Sequence, residues 1–359
     1  MMLRTLSAAV LMLSIAASTA RADAPGAVYA LTNSPSGNAV VVYERGADGA
    51  LTPAGSFPTG GLGTGAGLGS QGAVVVSDDH RLLFAVNAGN NSVSSFRIRP
   101  AGLELIATAP SGGSTPTSVA FRAGLLYVLN AGVPNNVSGL LVSANGELTP
   151  LAGSARLLSG ASTSPAQVGF SDDGATLIVT ERATNRIVTF PIGDDGLLGV
   201  PLFYASAGPT PFGFAVTKRN TLLVSEAGAG GGASTYQVEA EAVLVAKSSM
   251  LMTGQRAACW AIVTKNGRYG YVTNAGTGNI SGFRFEADGT ATLLNADGIT
   301  ATTGGNPTDM AMSHDGHYLY ARVAATNQIA VFRINADGSL SPRPALTATA
   351  AGLAGLAGF

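Results

Sequence analysis

A unit of 45 to 49 residues returns along almost the whole chain, and this repeat limits the fold more than any other feature. Residues 164–196 read SPAQVGFSDDGATLIVTERATNRIVTFPIGDDG, and residues 257–289 read AACWAIVTKNGRYGYVTNAGTGNISGFRFEADG. Each has a short apolar strand, a polar Gly-containing turn, an alternating strand, a loop, a third strand ending on aromatic residues, and an Asp-Gly turn. Such turns between alternating strands are strong hairpin signals. The last residue of the first strand recurs as Val76, Phe121, Phe170, Val216, Val263 and Met312. The turn before the fourth strand recurs as Gly49, Gly102, Gly146, Gly196, Gly289 and Gly338, with Glu241 in its place in the fifth copy. Helical periodicity is absent. Four strands every 40–50 residues is the signature of a propeller blade, whereas a β-sandwich would not produce seven copies of one two-turn unit. The sequence therefore predicts an all-β, seven-bladed β-propeller with four antiparallel strands per blade.

One copy is incomplete. The first begins at its second strand, AVYALTN, and the missing innermost strand reappears at the carboxyl end, where Gly355–Phe359 has the pattern of 167–170. Phe359 lies 47 residues after Met312, on the same period. The carboxyl-terminal strand is thus expected to complete blade one and close the ring, which would hide two sheet edges and tie the termini together.

Residues 1–22 read as a secretory signal: Arg4, an apolar stretch from Leu6 to Ala17, and an Ala20-Arg21-Ala22 cleavage site. The expected mature domain is 23–359, periplasmic or secreted, without a membrane span. A single cysteine, Cys259, excludes an internal disulfide. A net charge of −1 without a basic stripe gives no footprint for nucleic acid.

In a propeller, the loops entering strand one and leaving strand two form one face, the top. The first hairpin turns lie on the bottom, and they carry His80, His314 and His317. No Ser-His-Asp arrangement and no histidine-rich metal set is present. The ends of strand two place Asn33, Asn87, Asn130, Glu181, Glu226 and Asn274 on the top face, with Val323 in blade seven. The mouths of strand one add Gln71, Gln167, Phe212, Arg256, Trp260 and Asp309. Two readings of the amides and carboxylates stand: an oxygen-rich ring around the channel, or closure of each strand-two turn by side-chain hydrogen bonds. Glu181 and Glu226 are expected to find partners among Arg182, Arg186 and Arg256, because a buried carboxylate is costly unless paired. Calcium held by the two glutamates and the asparagines is a third, weaker reading; otherwise no cofactor is implied. The glycine-rich stretches 60–69 and 228–232 lie outside any phosphate-binding context and read as connectors or as lids over the channel.

These residues carry a family resemblance. Tyr271-Val272-Thr273-Asn274 is similar to the YVTN repeat of bacterial surface propellers. The run of blades four to seven resembles the lactonase-type seven-bladed propellers, which include 6-phosphogluconolactonases and carboxymuconate-lactonising enzymes. That family carries a Pro-His-x-His entry into blade four, read here as Ser164-Pro165-Ala166-Gln167, without either histidine. Its Asp-Leu-Gly-x-Asp-Arg stretch reads Glu181-Arg182-Ala183-Thr184-Asn185-Arg186, which keeps Arg186. Its Asn-Glu-Leu in blade five reads Ser225-Glu226-Ala227, and its Asn-Arg-Gly in blade six reads Asn274-Ala275-Gly276. The resemblance implies a lactone hydrolase or lactonising cyclase for sugar- or muconate-type ligands at the top of the channel. Glu226 would be the acid/base, Arg186 and Arg256 would hold an anion or polarise a carbonyl, and Glu181 would orient them. Gln167, Phe212, Trp260, Asp309, Asn87, Asn130 and Asn274 would line the ligand. The alternative is a non-catalytic propeller that uses the same face for a small ligand or a protein.

Overall fold

The computed structural model describes residues 26–359; the expected signal segment, residues 1–22, lies outside them. Seven antiparallel sheets follow one another around a central channel, each with a core path of four strands. Blade four illustrates the unit: Pro165–Phe170 lines the channel, and Thr176–Glu181, Arg186–Pro191 and Leu202–Ala205 follow outward. In blades three and six the outermost strand is broken into two short pieces. Among the described residues no helix is long and apolar enough to cross a membrane. The second strands are buried along their whole length in most blades, because sheets packed face to face cover both of their sides.

The ring closes as the sequence predicts. Ala354–Gly358 pairs antiparallel with Gly26–Leu31, placing Val28 opposite Gly358 and Ala30 opposite Leu356. Ala27 and Phe359 exchange both backbone hydrogen bonds, at 3.2 and 3.0 Å. Leu353 and Leu356 are buried with Val28, Tyr43 and Tyr320 between blades seven and one. The Phe359 ring stacks on Tyr29 and on His80. Arg45 of blade one meets Asp315 of blade seven at 3.0 Å beneath the same seam.

The recurring turn glycines explain how neighbouring blades grip one another. Gly49, Gly146, Gly196, Gly289 and Gly338 all have φ between 77° and 89°, a left-handed backbone that penalises a side chain. At Gly49 a Cβ would lie 2.3 Å from the Tyr318 ring, so this turn also needs the space. The carbonyls of these turns accept hydroxyl hydrogen bonds from the preceding blade: Tyr320 to Gly49, Ser95 to Gly146, Tyr127 to Gly196, Thr235 to Gly289 and Tyr271 to Gly338. Blade five keeps the geometry without the glycine. Glu241 and Ala242 take φ of 55° and 63°, and the Ala242 carbonyl accepts from Thr189.

The closure generates a prediction. Fully burying a leucine is worth about 1.5–3 kcal/mol, and residues 353–359 bury two of them and add a strand. Deleting 353–359 should lower the melting temperature by roughly 10 °C or more. An unchanged calorimetric melting curve would refute the closure.

Candidate functional site

The amides and carboxylates at the ends of strand two turn sideways into the seams between blades and do not ring the channel. Asn87 is fully buried. Its Nδ2 donates to Ser92 and Ser94 of its own blade, and its Oδ1 accepts from Thr59 and Asn38 of blade one. Asn130 donates to Ser138 and to the Ser111 carbonyl of blade two. Asn274 donates to Asn279 and Ser281, and Asn279 in turn reaches Gln255 at the end of blade five. Asn33 instead holds the glycine-rich loop, donating to Thr64 and to the Ala66 carbonyl.

The two glutamates occupy the same seams. Glu181 accepts from the Ser159 amide at 2.9 Å and from the Ser159 and Thr184 hydroxyls. Glu226 accepts from Ser206 of blade four and from Ser234. Burial pushes the Glu226 carboxyl up to about 7, against the hydroxyl hydrogen bonds that favour its charged form. Among the described residues neither glutamate forms an ion pair with an arginine. Arg186 is exposed and lies over the Phe203 ring. Arg256 is exposed and donates to the Gly276 carbonyl. Glu181, Glu226, Arg186 and Arg256 are therefore not brought into one pocket. Nor do the two glutamates share a position where a cation could bridge them; among the described residues no group of three or more histidine, cysteine or acidic side chains converges.

The strand-one mouths are organised by hydrogen bonds, both across the channel and between neighbouring blades. Gln71 donates to the Ala261 carbonyl at 2.7 Å and accepts from the Ala261 amide at 2.9 Å, linking the entrance of blade two to blade six. Gln167 makes the same two-bond contact with Phe214, at 3.0 and 2.6 Å. The Trp260 indole N–H donates to the Ser70 carbonyl at 2.9 Å. The loop 60–72 is thus a strap, pinned by Asn33 at one end and by Trp260 and Ala261 at the other. The second glycine-rich stretch is a tight turn, with the Gly231 amide bonded to the Gly228 carbonyl. Arg182 lies beside the strap, fixed by the Ser164 carbonyl and hydroxyl and stacked over Phe212, whose ring abuts Trp260. Burial pushes the Cys259 thiol up to about 12, which leaves it a buried small hydrophobe rather than a nucleophile.

Under the strap lies a cavity of about 240 Å³. Its wall comprises residues 67–70, Trp260, Thr308, Asp309, Arg322 and residues 353–355. Two expected site residues, Trp260 and Asp309, meet here. The innermost strand of blade seven, Pro307–Met312, slips register between Pro307 and Met310, and bulges of this kind re-aim a side chain. Asp309 sits in that bulge with φ of 63°, a strained conformation for a residue with a Cβ. Its Oδ1 accepts from the Met310 amide at 2.9 Å; its Oδ2 is buried without a well-formed hydrogen bond, although the Leu356 amide of the closing strand lies near enough to favour its charged form. Burial pushes this carboxyl up to about 8, opposed by the nearby Arg322 charge.

Sequence reasoning missed Arg322. It is buried and donates to the Thr308 hydroxyl. A signal was available: the residue before the end of strand two is Val86, Leu129, Thr180, Ser225 and Thr273 in blades two to six, and arginine in blade seven.

A family model described as Lactonase, 7-bladed beta-propeller matches residues 25–160, 124–262 and 242–351, in overlapping passes suited to a repeat. Among solved structures, a candidate 6-phosphogluconolactonase from Bacteroides uniformis superposes with a TM-score of 0.75 at 18% identity, over 93% of this chain and 99% of that one. The periplasmic gluconolactonase PpgL of Pseudomonas aeruginosa superposes with a TM-score of 0.73 at 19% identity, over 92% and 98%. No curated protein matches the sequence. The structural likeness carries the fold and the family model carries membership: this chain belongs to the lactonase family of seven-bladed β-propellers.

Proposed function

We propose that this protein is an exported lactone hydrolase whose chemistry takes place in the cavity under the strap, with Asp309 as its base. The observation that carries this reading is Asp309 itself: a buried carboxyl with a raised pKa, a strained backbone and an unpaired oxygen, on the wall of a cavity beside a guanidinium. A pKa near the working pH makes an efficient general base and then acid. Ionised Asp309 takes a proton from water as the water oxygen adds to the lactone carbonyl carbon. Arg322 stabilises the negative charge that forms on the carbonyl oxygen. Collapse breaks the bond between that carbon and the ring oxygen, and Asp309 returns the proton to the leaving oxygen, giving a hydroxy acid. Trp260 supplies a flat wall, backed by Phe212 and Arg182. We assign the base to Asp309 rather than Glu226, because Glu226 is enclosed by the hydroxyls of its seam and lines none of the cavity. Export rests on the amino-terminal signal pattern and agrees with the periplasmic location of PpgL.

Activity follows the ionised fraction of Asp309, so kcat/KM should climb as pH rises through about 8 and level off above it. Asp309→Asn should remove roughly 10²–10⁴-fold of the rate in a pH-stat assay on a lactone panel, and Arg322→Gln about 10²-fold. Glu226→Gln should stay within a few fold of wild type. If it loses as much as Asp309→Asn, the assignment of the base fails. Equal background rates for all four proteins would leave a binding propeller as the better reading.

Asp309 also bears on stability. Its folded pKa lies above its unfolded value, so the folded state holds a proton that the unfolded state has lost. Stability is full below about pH 4 and declines as pH rises towards 8. Asp309→Asn should be more stable than wild type at pH 7, by on the order of 1–3 kcal/mol. The gap should close at pH 4, as denaturant titrations at the two pH values would record.

A further inference from the structure

We infer that the cavity under the strap takes a lactone with apolar substituents, a small alkyl- or aryl-bearing δ- or γ-lactone, rather than a polyhydroxylated sugar lactone. The inference rests on the cavity being the reaction site, as proposed above, and adds the class of substrate.

The polar side chains of the wall that are not committed elsewhere are few, and the lactone function uses them. Asp309 offers its unpaired Oδ2, Arg322 its guanidinium, and Thr308 its hydroxyl, already an acceptor for Arg322. The carbonyl oxygen, the ring oxygen and the attacking water claim these three groups. The one other polar side chain of the wall, Ser70, already donates its hydroxyl to the Thr117 carbonyl at 2.7 Å, and the remaining side chains are hydrocarbon or absent, as in glycine. Leu68 and Leu353 contribute aliphatic surface, and Ala354 a methyl. Trp260 contributes only the face and edge of its ring, because its one polar atom is already committed to the Ser70 carbonyl. A sugar lactone would bring several hydroxyls out of water against these side chains, and a buried hydroxyl without a partner is penalised strongly. A methylene chain or an aromatic ring gains from the same surface. A phosphate group would find a single guanidinium facing an acidic side chain, where phosphate recognition ordinarily recruits several donors. At about 240 Å³ the space is smaller than a drug-sized pocket, which suits one ring with a short substituent.

Trp260 is the chain's only tryptophan, so the emission of the unmodified protein reports occupancy of this cavity. The probes are lactams, which keep the lactone shape and resist hydrolysis: 6-propyl-2-piperidinone and D-gluconolactam. Fluorescence titration should show a saturable change with the alkyl lactam, at a Kd at least about tenfold below that for the sugar lactam. Equal or tighter binding of gluconolactam overturns the inference, and so does the absence of a saturable change with the alkyl lactam. A parallel pH-stat assay with δ-octalactone and δ-gluconolactone separates the two levels of the argument. Faster turnover of δ-gluconolactone sinks the substrate class and leaves the hydrolase intact. Selective binding of the alkyl lactam with no turnover of either lactone keeps the ligand class and sinks the hydrolase.

Discussion

The structure depends on the contact between one blade and the next. A four-stranded sheet cannot bury both faces alone, so each blade is stable only when packed between two others. Packing of apolar faces is tolerant of sliding, and hydrogen bonds with fixed geometry set the angle. Two sets of them operate here. Near the bottom, a hydroxyl of one blade reaches the carbonyl of a left-handed turn in the following blade. Near the top, Asn87, Asn130 and Glu226 each join their own third strand to the loop leaving the preceding blade, Asn274 does so through Asn279, and Glu181 ties that loop to its own turn at Thr184. Glu241 shows that the first set is the true constraint: the glycine is gone, but the left-handed turn and its Thr189 hydrogen bond persist.

Blade seven departs from the second set, and the candidate site lies beside that departure. Val323 stands where other blades place asparagine or glutamate, and it packs against the loop at Gly305 instead of latching to it. The neighbouring Arg322 occupies a position that holds small or apolar residues in blades two to six. The next blade around the ring is the one assembled from both ends of the chain, and residues 353–355, which lead into its innermost strand, line the cavity. The seam that closes the ring therefore helps to build the cavity. Its integrity comes from the Val28–Gly358 pairing and from Arg45 with Asp315 below, so Asp309 and Arg322 are held by the same contacts that fasten the termini.

How much of this was legible in the sequence differs between fold and site. The repeat, the blade count and the closure by residues 355–359 were readable, because period, alternation and turn residues are local properties. The direction of a side chain at the end of a strand is not. Asn87, Asn130, Glu181, Glu226 and Asn274 align perfectly well on the top face, yet whether they face the channel or the seam depends on sheet twist and on the length of the preceding loop. The expected arginine partners failed to meet the glutamates for the same reason: serine and threonine hydroxyls from adjacent segments satisfy Glu181 first. The strap's anchorage was equally hidden, since Gln71 and Ala261 are 190 residues apart. Only position-by-position comparison of the blades could have exposed Arg322, by showing arginine in a buried column of small or apolar residues.

That comparison also distinguishes the two raised carboxyls. Glu226 has the environment of a structural group: hydroxyl donors from two segments, a place in the seam ladder and a counterpart at the same position in blade four. Asp309 has none of these. Each carboxyl leaves one oxygen without a hydrogen-bond partner, but Asp309 sits in a bulge, in a left-handed conformation, with an arginine close enough to act on it without forming an ion pair. Seam packing does not require an acid there, because an asparagine would keep the hydrogen bond from the Met310 amide and remove the burial penalty. A buried acid that weakens the fold at neutral pH where an amide would serve is what the proposed catalytic role of Asp309 accounts for.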